Sequence, residues 1–183
     1  MHEKDHGFLR VALIMIGVAF AVRFFVAQPF VVNGASMSPT FVHKEYLIID
    51  ELSYFLREPE RGEVVVFRYP RSPWQYFIKR IIGLPGETVE IKNGKIHIIN
   101  NNELPQGSVL QEPYLASHAG ETYPDLIVSL QSDEYFVLGD NRSQSSDSRV
   151  WGPLGRQFLV GRVLVRIFPF NRFSLMHAVM TDK

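Results

Sequence analysis

Two residues remote from each other in the chain could form a nucleophile and its base. Ser36 stands in Phe30-Val31-Val32-Asn33-Gly34-Ala35-Ser36-Met37-Ser38-Pro39-Thr40. Phe30 and Val32 alternate with Val31 as a strand would, Asn33-Gly34 permits a sharp reversal, and Pro39 drives Ser38 towards extended geometry. Ser36 therefore projects from a constrained bend, where a hydroxyl either satisfies turn hydrogen bonds or attacks a carbonyl. Attack requires a base. Of the histidines, His43, His97, His118 and His177 stand in no motif recognisable beside a nucleophile.

Lys79 is the better base. It interrupts Tyr76-Phe77-Ile78-Lys79-Arg80-Ile81-Ile82, which is apolar apart from Lys79 and Arg80. Either the pair lies on a solvated strand edge, or the amine is buried and loses hydration, which disfavours the ammonium. To act near neutral pH its pKa must fall by about 3 units from ~10.4, at a cost of roughly 4 kcal/mol that only a buried site imposes. A third polar stretch, Gly139-Asp-Asn-Arg-Ser-Gln-Ser-Ser-Asp-Ser-Arg149, reads as a solvated loop or as the support of such a site. Asp147 and Arg149 are two apart and in extended chain can pair on one side, while Ser145 could orient a neutral amine.

Around these residues, 183 positions suffice for one ordinary domain plus an anchor. Lys plus Arg and Asp plus Glu both number 19, so no net field draws in nucleic acid. Fourteen Phe point to a large core, to apolar surface near lipid, or to both. The absence of cysteine excludes disulfides and thiolate chemistry.

In chain order, residues 1–7 are a short polar lead. Residues 8–27 are apolar except Arg10 and Arg23, and 20 helical residues at roughly 1.5 Å each would span ~30 Å of hydrocarbon. This predicts a transmembrane anchor, and Lys4 and Arg10, before its uninterrupted run Val11 to Val22, favour an N-terminus in the cytoplasm and the remainder outside. Residues 28–183 read as a β-rich domain: strands at 46–50, 61–67, 76–82, 125–131, 135–138 and 160–168. Asn93-Gly94 between 88–92 and 95–99 predicts a type I′ hairpin with Val89, Ile91, Ile96 and Ile98 inward. Residues 100–124 turn polar and Pro/Gly-bearing, a loop or small subdomain excursion. The fold class is mainly β, antiparallel, behind one helix.

Four blocks in this order, Gly34 to Thr40, Arg61 to Phe67, Phe77 to Gly86 and Gly139 to Gly152, resemble the motifs of bacterial type I signal peptidases, and the compact size resembles the Gram-positive branch. The resemblance implies a membrane-bound endopeptidase that removes signal peptides from exported preproteins, using a Ser-Lys dyad on a signal-peptidase-like β fold, without metal or organic cofactor. By motif match it assigns Ser36 as nucleophile and Lys79 as general base. Ser145 becomes the lysine-orienting hydroxyl and Asp147 with Arg149 the supporting ion pair. Phe30, Val32, Met37, Phe77 and Ile78 become the lining of shallow pockets for small side chains, giving an Ala-x-Ala preference. Gly34 stands where the enterobacterial pattern has a serine that helps bind the oxyanion, so the Ser36 N–H carries more of that work. Ser143 and Gln144 replace an Asp-Asn pair. The implied partners are signal-peptide-bearing preproteins and the lipid bilayer, and the implied location is the bacterial cell membrane.

Two other readings compete. A membrane-anchored β binding module would keep Ser36 and Lys79 apart. A self-cleaving SOS-response repressor shares a Ser-Lys dyad but carries a DNA-binding N-terminus in place of the apolar segment.

Overall fold

The computed structural model describes residues 3–21, 27–100, 104–115 and 121–178. A helix, α1 (Glu3–Ala21), precedes twelve strands among the described residues. These are β1 (Ala27–Val31), β2 (Tyr46–Asp50), β3 (Val64–Tyr69), β4 (Ser72–Gly83), β5 (Thr88–Lys92), β6 (Lys95–Asn100), β7 (Leu104–Val109), β8 (Leu126–Ser129), β9 (Glu134–Leu138), β10 (Leu154–Gly155), β11 (Leu159–Phe168) and β12 (Ser174–Leu175). One-turn helices α2 (Ser53–Leu56) and α3 (Ser148–Trp151) punctuate them.

The strands form an eight-stranded sheet in the order β1-β2-β11-β3-β4-β9-β10, with β12 on β11, and a four-stranded sheet in the order β7-β6-β5-β8. All pairings are antiparallel. The hairpin at Asn93-Gly94 forms as its residue types demand, with φ of +51° and +74°. Its inward residues Val89, Ile91, Ile96 and Ile98 pack against Ile82, Phe136 and Leu138, which joins the small sheet to β4 and β9. A second cluster, Val32, Met37, Phe41, Leu47 and Ile49, fills the space beneath the Ser36 turn. Each such side chain contributes about 1.5–3 kcal/mol relative to exposure.

Two expectations change, and one alternative is decided. Of the anchor predicted at 8–27, Phe8 to Ala21 is helical and Ala27 already belongs to β1, while residues 22–26 lie outside the described residues. Phe8 to Ala21 spans about 21 Å at 1.5 Å per residue; the helix begins on Glu3-Lys4-Asp5, and no described helix is long and apolar enough to cross a membrane. The excursion at 100–124 is not all loop, because Asn100 ends β6 and β7 pairs with β6. A register shift between Ile98 and Asn100 explains why no clean two-residue period appears there. Finally, Lys79 and Arg80 are not a strand edge: β4 lies between β3 and β9, and the two residues are 3% and 2% exposed.

Candidate active site

The turn carrying Ser36 grows out of β1. After Val32, Gly34 adopts φ +99°, which lets the chain reverse into a helical turn where Ser38 N–H donates to Ala35 O and Phe41 N–H to Met37 O. Phe41 and Met37 are fully buried beneath it, so the turn is fixed from below and presents Ser36 upward.

β4 brings the lysine. Its register sets Lys79 opposite Val65 and Arg80 opposite Val64, and strand alternation sends their side chains to opposite faces. Lys79 Nζ lies 2.8 Å from Ser36 Oγ, and its N–H donates to the carbonyl of Ile78 at 2.9 Å. The Phe77 ring centroid is 5.4 Å from the amine. Burial pushes the amine from its ordinary 10.5 down to about 8, against the opposing pull of the Asp147 and Asp140 carboxylates.

The loop after β9 closes the site. Asn141 N–H donates to Ser36 O at 3.0 Å and Asn141 Nδ2 to Ala35 O at 3.2 Å. Gly139 packs so closely that a Cβ there would stand 2.4 Å from Ser36 O and 2.2 Å from Ser145 Oγ. Ser145 Oγ is buried beside it without a hydrogen-bond partner among the described residues, so in this structure the Ile78 carbonyl rather than Ser145 holds the amine. Asp147 and Arg149 pair at 2.8 Å through both carboxylate oxygens. They do so otherwise than by extended alternation: Asp147 caps α3, accepting from Arg149 N–H, and also accepts from Gly139 N–H.

Phe30, Val32, Phe77 and Ile78 line a cleft of about 640 Å³ beside Ser36 and Lys79, together with Leu47, Val66 and Gly34. Met37 does not line it; it is fully buried in the core under the turn. Gln75, Gln144 and Ser146 form polar parts of the wall. The Ser36 N–H makes no hydrogen bond among the described residues, whereas Gly34 N–H donates to His43 Nδ1 at 3.3 Å. His97 lies on β6 in the other sheet, His177 borders a separate small cavity, and His118 lies outside the described residues.

Sequence reading missed the buried pair next to Lys79. Arg80 grips Asp140 with Nε at 2.9 Å and Nη2 at 2.7 Å, while Thr40 Oγ1 donates to Asp140 at 2.6 Å. The signal was available: an arginine in an apolar run needs a buried anion, and Asp140 stands two residues past Leu138, where the apolar run Tyr135 to Leu138 ends.

A family model described as signal peptidase, peptidase S26, matches residues 6–168. The chain belongs to that family. As a type I signal peptidase it is a serine endopeptidase. It is 40% identical over 164 residues to a probable signal peptidase I-2 of Synechocystis sp., an alignment covering 87% of this chain and 71% of that one. It is 36% identical over 172 residues to a signal peptidase I of Bacillus amyloliquefaciens, covering 88% and 84%. A crystal structure of a signal peptidase I from Enterococcus faecalis V583 superposes with a TM-score of 0.49 at 32% identity, covering 58% of this chain and 97% of that one. For a peptidase of this family, the cleft beside Ser36 and Lys79 is the candidate site.

Proposed function

We propose that this signal peptidase cleaves exported preproteins after small residues, with Ser36 as nucleophile and Lys79 as general base. The observation that carries the reading is the 2.8 Å separation between a hydroxyl and an amine that is 3% exposed and titrates near 8. A neutral amine has one lone pair and two N–H donors. With one N–H on the Ile78 carbonyl, the lone pair can accept the Ser36 proton.

In the first half of the reaction Lys79 takes that proton while Ser36 Oγ attacks the scissile carbonyl carbon. The tetrahedral intermediate collapses as the C–N bond breaks, and the leaving amine takes the proton from Lys79. Water then gives a proton to Lys79 and attacks the ester, and Ser36 leaves with the proton restored. The unengaged Ser36 N–H is a donor for the oxyanion, because Gly34 supplies no hydroxyl. Asp147 and Arg149 support the lysine by fixing the loop, and Ser145 can turn its unpartnered hydroxyl to the amine when substrate excludes water.

The apolar cleft walls, Phe30, Val32, Phe77 and Ile78, accept alanine and exclude larger groups at the −1 and −3 positions, so an Ala-x-Ala preference arises from sterics. Met37 shapes these pockets from beneath rather than by contact. We read the apolar segment that begins at Phe8 as a membrane anchor ahead of a catalytic unit that starts with β1, with the N-terminus cytoplasmic. Phe8, Leu13, Ile14 and Ile16 of α1 are exposed, an arrangement that lipid would cover.

The test is cleavage of a peptide bearing Ala-x-Ala by wild type, Ser36→Ala and Lys79→Ala, with folding checked by circular dichroism. Both variants are expected to fold and to lose cleavage; near-normal cleavage by either removes the dyad.

A further inference from the structure

The segment between β7 and β8 offers none of its described residues to the cleft wall, yet three of its side chains converge on one buried arginine. We propose that Glu112 is a positioning residue of this peptidase, acting through Arg142 on the loop that holds the Ser36 turn; the proposal rests on the Ser36–Lys79 reading above.

Arg142 is 3% exposed. Its Nε donates to the Gly139 carbonyl at 3.0 Å. On the other edge of the guanidinium, Nη1 donates to Glu112 Oε2 at 3.1 Å and to Thr122 Oγ1 at 2.5 Å, and Nη2 donates to Glu112 Oε1. The guanidinium is planar and its donors are fixed relative to one another, so pinning one edge on a carboxylate sets the direction of Nε. Gly139 is the residue whose backbone packs against Ser36 O, and two residues later Asn141 holds the carbonyls of Ser36 and Ala35. The chain of contacts therefore runs from Glu112 through Arg142 and the Gly139–Asn141 backbone to the nucleophile.

The same segment braces the lysine strand. Tyr114 OH donates to Glu112 at 2.5 Å, and its ring centroid lies 3.8 Å from Arg80 Cζ, one residue from Lys79. Such bracing matters because a displacement of the order of 1 Å at a reacting pair costs roughly a hundredfold in rate. Loss of a purely stabilising ion pair would instead lower the melting temperature and leave the folded enzyme's turnover unchanged.

The experiment compares kcat and KM on an Ala-x-Ala peptide for full-length Glu112→Gln, Arg142→Lys and the double variant of Glu112→Gln with Arg142→Lys, assayed well below each melting temperature. Glu112→Gln and Arg142→Lys are expected to lower kcat roughly ten- to hundredfold with KM within about twofold. Lysine keeps the charge but cannot hold Glu112 and the Gly139 carbonyl at once, so it does not rescue. In the Arg142→Lys background Glu112→Gln is expected to cost little more, because the link from Glu112 to the Gly139 carbonyl is already broken. Glu112→Asp carries the same cycle if Glu112→Gln does not fold. A folded Glu112 variant with wild-type kcat, or losses that simply multiply in the double variant, overturns this inference alone. Activity surviving in Ser36→Ala overturns instead the dyad on which it rests.

Discussion

Asn141 N–H donates to the carbonyl of Ser36 at 3.0 Å, so the loop after β9 and the turn after β1 form one hydrogen-bonded unit. Between them Gly139 has no room for a side chain. Gly139→Ala would set a methyl group 2.4 Å from the Ser36 carbonyl oxygen, and backbone has to move to relieve it. The expected result is a loss of at least about a hundredfold in kcat for Ala-x-Ala peptide cleavage, the scale of a 1 Å displacement at the reacting atoms. Wild-type turnover in Gly139→Ala would separate the loop from the nucleophile.

Lys79 is expected to reduce stability while enabling activity. Its amine titrates near 8 in the fold against 10.5 ordinarily. Between those values the unfolded chain binds a proton that the folded chain has released, so stability rises with pH across that window. Below pH 8 the full cost of burying the ammonium is present, about 3 kcal/mol. Lys79→Met should therefore be inactive and more stable than wild type at neutral pH, and its stability should lose the rise between 8 and 10.5. Urea unfolding at neutral and alkaline pH measures both.

Arg80 and Asp140 are buried against each other, and neither tolerates the loss of its partner. Arg80→Met leaves a fully buried carboxylate with only the Thr40 hydroxyl and should cost roughly 3–5 kcal/mol. Adding Asp140→Leu should restore much of it, since an apolar pair needs no counter-charge. Denaturant midpoints of the two single variants and the double variant decide this.

Removing residues 1–26 tests the anchor separately from the chemistry. The shortened chain is expected to cleave a soluble Ala-x-Ala peptide at near-normal rate but to process preproteins in lipid vesicles much more slowly, because co-localisation in the bilayer is lost. Equal loss on both substrates would show that the segment serves the fold rather than the membrane.

The strands were legible wherever β-branched runs met strong turn signals, and the Asn93-Gly94 hairpin kept its predicted register. β7 was not, because its glycine and proline and a register shift break the alternation. Ser36 and Lys79 stood out because each sits where its chemistry is unusual: a hydroxyl in a tight bend, an amine in an apolar strand. Asp147 and Arg149 were found as a pair for the wrong local reason, since a short helix rather than extended chain brings them together. Met37 was misplaced because motif proximity does not say whether a side chain points into the cleft or into the core. The contacts of Arg80 with Asp140 and of Glu112 with Arg142 join segments whose distance apart only the folded sheet order removes.

The most direct measurement is kcat/KM for an Ala-x-Ala peptide from about pH 6 to about pH 10, for wild type and Lys79→Arg, since this quantity reports the free enzyme's essential base. The account predicts a rate that climbs with pH and levels off above about 8, where the Lys79 amine becomes neutral, and no activity at any pH for the permanently charged arginine. A midpoint at the ordinary lysine value of 10.5, a profile without an acid limb, or cleavage by Lys79→Arg would contradict it.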